Sequence, residues 1–279
     1  MSQTRVFVNY QEVSSVDPST RGLHFGDGHF TTLAVYLGKP LLLSWHLTRL
    51  EDASRKLWLD FDTDNLKRYI LRLSSDLACG MIKILISRQS HGRGYAPASS
   101  SSDVIIFSSS LPDLRQHIDS QNGLSVGVAG FRLAKQPALA GLKHLNRLEQ
   151  VFLAREVEQR NLDELVVLDS DGVVVEGIKS NVFFEVDGKL VTPATLESGV
   201  DGVMKRWLIE TLRTEGIAVE LKSLEARDVN KSSAIWFTNC LILLRWADSF
   251  RNSDNKVIQL NRTELTGFAL ATIRNRLLC

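Results

Sequence analysis

Residues 139–151 read LAGLKHLNRLEQV. A small apolar approach (Leu139, Ala140, Gly141, Leu142) delivers one lysine, Lys143, to the start of a helical pattern. Leu145, Leu148, Val151, Phe152 and Val157 recur at helical spacing. They predict a helix over about 145–160 with those residues facing one way. The chain on the C-terminal side is strand-like. LVVLD is followed by a Ser-Asp-Gly turn at 170–172, then VVVEG, then NVFFEV closed on KLVTP by Asp187-Gly188. Asp-Gly suits a tight hairpin. Helices near 202–214 and 262–277 flank strand pieces at 217–221 and 233–245, and a strand at 124–132 precedes the lysine. Long helices around a mostly β centre mean an α+β domain.

Working outward to the N-terminus, 3–9, 29–36 and 40–43 read as strands. Helices follow at 45–58, with Ser44 as N-cap, and at 64–78, stopped by Gly80. MIKILIS (81–87) and SDVIIFSS (102–109) are strands again. Residues 110–122 are polar and lack periodicity, which marks a boundary. The expectation is two α+β domains: 1–113, a linker at 114–120, and a larger domain at 121–279 that carries Lys143. The length of 279 residues suits two domains at roughly 150 residues each. A ligand cleft between them is expected.

Charge excludes several classes of function. Lys plus Arg number 33 against 32 Asp plus Glu, so there is no electrostatic footprint for nucleic acid or an anionic membrane. The N-terminus shows no secretory pattern, and no stretch reaches the ~18 apolar residues of a membrane span. Cys79, Cys240 and Cys279 make neither a disulfide framework nor a metal knuckle. A cytoplasmic protein is expected. The chain has no P-loop, no GxGxxG after a strand, no HExxH and no GxSxG elbow, and no metal site is expected.

Six segments are conspicuous. RGLHFGDGHF (21–30) is glycine-rich before a strand, and HLTRL (46–50) puts Arg49 on a helix. SRQSHGRGY (87–95) is a loop with Arg88, Arg93 and Tyr95, groups that can clamp a carboxylate. Besides Lys143 and its approach there are VEGIKSN (175–181), with Glu176 between apolar strands, and ESGVDGVM (197–204), a turn opening a helix. Helix N-termini bind phosphate. Among central lysines, Lys83 alternates with Ile82 and Ile84 and is expected to face solvent or a domain surface. Lys135 lies in a polar loop, Lys179 is oddly spaced from Glu176, and Lys205 sits at a helix start. The apolar approach to Lys143 is expected to lower its pKa.

In this order the segments resemble the fold-type IV pyridoxal-phosphate enzymes, which include D-amino acid and branched-chain aminotransferases. FGDGHFTT, HLTRL, SRQSHGRGY, LAGLKHLNRLEQV, LDSDGVVVEGIKSNVFF and SGVDGVMKRW carry the likeness, and LKHLNRLEQ leans toward the aminodeoxychorismate lyase branch. The resemblance implies pyridoxal 5'-phosphate as cofactor, joined to Lys143. It implies that Glu176 pairs with the ring nitrogen and that Arg49 holds the phosphate. Gly202, Val203 and Met204 offer it backbone N–H groups, and Thr238 and Asn239 stand where the family has a second Ser/Thr pair. Asn146 matches a position common near the lysine. A homodimer is also implied.

The implied reaction converts 4-amino-4-deoxychorismate to 4-aminobenzoate and pyruvate, with Lys143 taking the proton at C4. Arg93 and Tyr95, then Arg88, are the expected partners of the substrate carboxylates. Aminotransferase-like members carry Glu after the aromatic of FGDGxF, and here that residue is Thr31. The alternatives are a D- or branched-chain amino acid aminotransferase and, in another class, a non-catalytic cofactor-binding or interaction protein.

Overall fold

The computed structural model describes residues 4–89 and 94–279. It forms two compact units, one reaching Leu114 and including Lys143–Asn146, the other made of Arg115–Leu142 and Arg147–Cys279. Both mix helices and strands, as an α+β fold requires.

The first unit contains β1 (Arg5–Val8), β2 (Gln11–Val13), α1 (Arg21–Phe25), β3 (Gly28–Tyr36) and β4 (Lys39–Pro40). It continues with α2 (Leu43–Leu57), α3 (Thr63–Ser75), β5 (Cys79–Arg88) and β6 (Ser102–Ser110). The strands make one antiparallel sheet in the order β2-β1-β6-β5-β3-β4. Strand side chains alternate between faces. Ile82, Ile84 and Ile86 therefore point together into a core with Leu47 and Leu50 of α2 and Leu66 and Ile70 of α3. Each such side chain stabilises the fold by about 1.5–3 kcal/mol. The Asp62 carboxylate caps α3 by accepting from the Asn65 N–H.

Two local expectations fail here. Helix α2 starts at Leu43, so Ser44 lies inside it, and Leu42 precedes it at φ 54°. Gly80 does not end α3; it sits in β5, where a Cβ would come within 2.7 Å of the Ser109 carbonyl oxygen.

The second unit opens with α4 (Arg115–Asp119), β7 (Leu124–Leu133), α5 (Leu148–Arg160), β8 (Glu164–Asp169) and β9 (Val174–Glu176). Next come β10 (Asn181–Val186), β11 (Lys189–Thr192), α6 (Val203–Thr214), β12 (Val219–Leu221) and α7 (Ala226–Val229). It closes with β13 (Ala234–Asn239), β14 (Leu243–Arg251), β15 (Val257–Gln259) and α8 (Glu264–Leu277). The sheet runs β12-β11-β10-β13-β14-β7-β8-β9, with β15 on β14. Parallel neighbours need a crossover; α5 joins β7 to β8 and α6 joins β11 to β12. Val166, Phe184, Phe237 and Phe250 pack on one face, and Leu165, Val167 and Val175 pack with Leu153 on the other. No helix among the described residues is long and apolar enough to cross a membrane.

Four features depart from the expected layout. The expected linker at 114–120 is largely helix α4 of the second unit, with Ile118 buried and Asp119 paired to Arg274. Lys143, expected within the second domain, belongs with its next three residues to the first unit, because their backbone pairs with β3. Leu145 thus lies outside the helix, and α5 begins at Leu148. Of the residues expected to face one way, Val157 packs on the core, while Leu148 is 68%, Val151 62% and Phe152 52% exposed. The 233–245 stretch is a hairpin, closed where Asn239 Oδ1 accepts from the N–H groups of Leu241 and Ile242.

Candidate active site

In the first unit the segment holding the lysine is laid along β3. The Phe30 N–H donates to the Lys143 carbonyl at 2.9 Å, and the Leu145 N–H to the Gly28 carbonyl at 3.0 Å. His144 bridges to His29. Gly28 permits this approach, since a Cβ there would stand 2.9 Å from Leu145 Cδ1. The FGDG turn and the lysine segment, more than a hundred residues apart, are therefore one local structure. The Asn146 side-chain amide donates to the Gly26 carbonyl at 3.4 Å.

The FGDG turn is itself clasped. Asp27 Oδ2 accepts from Arg21 Nε at 2.8 Å and Arg88 Nε at 2.9 Å. Arg88 is only 4% exposed. Its other N–H groups donate to the carbonyls of Leu57, Trp58 and Ser99. Four of its five donors are thus spent inside the unit, and the expected role in binding a substrate carboxylate is corrected to a structural one. Arg21 likewise donates to the carbonyls of Gly94 and Tyr95. The Tyr95 side chain is exposed, its ring 5.3 Å from Phe25. Arg93 lies outside the described residues.

The two faces of the first sheet differ in chemistry. On the helix side, Thr31 Oγ1 meets His46 Nδ1 at 2.6 Å and His29 Nε2 meets Ser54 Oγ at 2.8 Å. Burial, and then the charge of Arg49, push the His29 imidazole down to about 4. Arg49 is half-buried on α2. On the opposite face, Phe30 carries two cations: Lys143 Nζ and Lys83 Nζ each lie 4.8 Å from its ring centroid. Lys83 stands across from Thr32 in the β3–β5 register. It is half-buried rather than solvated, and burial lowers its pKa. Reading the strand's alternation identified its face but not what covers it.

In the second unit, Glu176 ends β9 and is 5% exposed. Its Oε2 accepts from the Val200 N–H at 2.9 Å. Arg147 is a charged neighbour: burial lowers its pKa, while Glu176 raises it. Lys179 lies in the turn after β9, so strand alternation does not relate it to Glu176. The turn leading to α6 is stitched to the approach loop: the Gly141 N–H donates to the Gly199 carbonyl and the Asp201 N–H to the Gly141 carbonyl. Asn181 Nδ2 donates to the Val200 carbonyl at 2.7 Å, and a Cβ at Gly202 would run into Asn181 Oδ1.

These features fit a phosphate group. Gly202 caps α6 without a side-chain bond, and no acidic residue occupies the first turn. Such an end presents free N–H groups and a positive dipole. Thr238, paired across the sheet with Asn181, is 1% exposed, and its Oγ1 has no hydrogen-bond partner among the described residues. A buried hydroxyl left this way costs stability unless a ligand completes it. Asn239 is different. Its side-chain amide accepts from the β13–β14 turn and donates to the Lys179 carbonyl.

The sequence profile of amino-transferase class IV matches residues 28–249. The chain belongs to that family. It is therefore a fold-type IV, pyridoxal-phosphate-dependent enzyme. It is 30% identical to the aminodeoxychorismate lyase of Vibrio harveyi over 252 residues, 90% of this chain and 93% of the relative. The crystal structure of 4-amino-4-deoxychorismate lyase from Pseudomonas aeruginosa superposes with a TM-score of 0.89 at 33% identity, covering 97% of this chain and 98% of that one. The branched-chain amino acid aminotransferase of Escherichia coli shares the fold, with a TM-score of 0.86 at 21% identity over 98% and 94% of the two chains.

Proposed function

We propose that this enzyme is an aminodeoxychorismate lyase, which releases pyruvate from 4-amino-4-deoxychorismate and leaves 4-aminobenzoate. The observation that carries this reading is the end-to-end likeness to two lyases at 30% and 33% identity. Thr31 supports it. Where aminotransferase-like relatives have a carboxylate, this chain buries a hydroxyl against His46.

Pyridoxal phosphate supplies an electron sink that makes the substrate's C4 proton acidic. Lys143 carries the cofactor and then, as a neutral amine, takes that proton. The pair of that C–H bond would close the C3=C4 double bond of the aromatic ring as the enolpyruvyl oxygen leaves C3 with its bonding pair, and the released enolpyruvate, gaining on its methylene carbon the proton Lys143 took, would become pyruvate. Glu176, fixed by the Val200 N–H, keeps the cofactor's ring nitrogen protonated. Arg49, the N–H groups at Gly202, Val203 and Met204, and the Thr238 hydroxyl hold the phosphate.

The substrate carries two carboxylates. With Arg88 committed elsewhere, Lys83 is the described cation best placed for one of them, beside Lys143 on Phe30. Arg93 and Tyr95 serve the other. The enzyme acts as a homodimer. The open Leu148, Val151 and Phe152 lie at i, i+3 and i+4 on α5, an apolar face that a second copy would cover.

The deciding experiment supplies 4-amino-4-deoxychorismate to the holoenzyme without any keto acid. Stoichiometric 4-aminobenzoate and pyruvate are expected. No pyruvate, with amino transfer appearing only when a keto acid is added, would replace this reading with an aminotransferase. A monomer by light scattering with activity intact would remove the dimer.

A further inference from the structure

Lys205 is the third residue of α6 and is only 2% exposed. Its Nζ donates to the Pro193 carbonyl at 3.0 Å and lies 3.2 Å from Asp201 Oδ1. Two physical costs meet here. A cation in the first turn of a helix opposes the macrodipole, which favours anions there. A buried ammonium also gives up its hydration. The compensation is partial. Asp201 is 38% exposed on its side chain and also faces Arg206 Nε at 3.9 Å, so one half-screened carboxylate serves two cations. A hydrophobic residue of similar length would fill the same space without either cost.

An anion at the end of α6 turns the cost into a gain. The free N–H groups of the first turn and the unpartnered Thr238 hydroxyl already mark that end as fit for a phosphate. We propose that Lys205 is a positioning residue for the cofactor phosphate. It is a buried positive charge behind the turn, and it also ties both ends of the 193–201 segment to α6. The ammonium acts through the helix end and the turn and does not contact the phosphate. This inference rests on the phosphate-binding role given above to Gly202, Val203 and Met204.

The test measures binding of pyridoxal 5'-phosphate and of pyridoxal, which lacks the phosphate, to the cofactor-stripped protein by quenching of intrinsic fluorescence. The wild type should bind pyridoxal phosphate; no binding at all would defeat the cofactor assignment itself. Lys205→Gln keeps a donor for Pro193 but not the charge. It should weaken pyridoxal phosphate binding about five- to tenfold, leave pyridoxal binding unchanged and flatten the salt dependence. Lys205→Arg should restore wild-type binding. Equal loss for both ligands, or no loss for either, overturns the proposal. Lys205→Met is a second neutral variant should Gln fold poorly. If both neutral variants unfold while Lys205→Arg folds, the charge serves the fold and the proposal is wrong.

Discussion

The two faces of the six-stranded sheet teach different lessons about charge. Arg88 and Lys83 lie on the same strand, five residues apart. Arg88 looks like a substrate clamp in sequence and proves to be a tie: it is buried, and its donors are committed to Asp27 and three carbonyls. Lys83, expected to face solvent or a domain surface, sits half-buried on Phe30, the ring that also carries Lys143. A cation is available for chemistry when the fold leaves its donors unspent, and residue type alone does not say which case holds.

The largest expected effect falls on the committed cation. Arg88→Met leaves Asp27 with one arginine and takes the donor from the carbonyls of Leu57, Trp58 and Ser99. It should destabilise the protein by about 3–5 kcal/mol in urea unfolding. A change under about 0.5 kcal/mol would mean the clasp contributes nothing.

The helix-side histidine comes next. His29 has a folded pKa of about 4, below its ordinary value of 6.5. Between these values the unfolded chain binds more protons, so stability is full above pH 6.5 and is lost as the pH falls toward 4. Linkage makes this on the order of 3 kcal/mol. Denaturant midpoints measured from pH 4 to 7 should rise with pH, and His29→Gln should flatten that rise. An unchanged slope would show that other groups cause it.

The smallest expected effect falls on the uncommitted cation. Lys83→Met should cost kcat/KM about tenfold, near 1.4 kcal/mol, mostly through KM. The Tm should hold or rise, because a half-buried charge is removed. A lower Tm with unchanged kinetics would make Lys83 a structural residue like Arg88 and erase the contrast between the faces.

Much of this was legible in the chain. The hairpins, most helices and the α+β class follow from alternation, helical spacing and turn residues. Composition marks the segments of Lys143, Glu176 and the turn at 199–204 as conspicuous, but their roles come only from the resemblance to the fold-type IV enzymes. What escaped depends on partners distant in sequence. The spacing of Leu148, Val151 and Phe152 marks a helix face correctly but does not say whether anything covers it. The amide of Asn239 serves the hairpin beneath it, a use that the TNC string does not announce. The assignment of Lys143–Asn146 to the first unit rests on backbone pairing with β3, which no local pattern encodes.

The central claim is that Lys143, and not its neighbour on the same ring, carries the cofactor. Borohydride reduction of the holoenzyme, digestion and peptide mass mapping test it directly. The pyridoxyl mass should appear on the peptide containing Lys143, and Lys143→Ala should fold, bind the cofactor without a trappable adduct and lose nearly all turnover. A pyridoxyl group mapped to Lys83, or to any other lysine, would contradict the account.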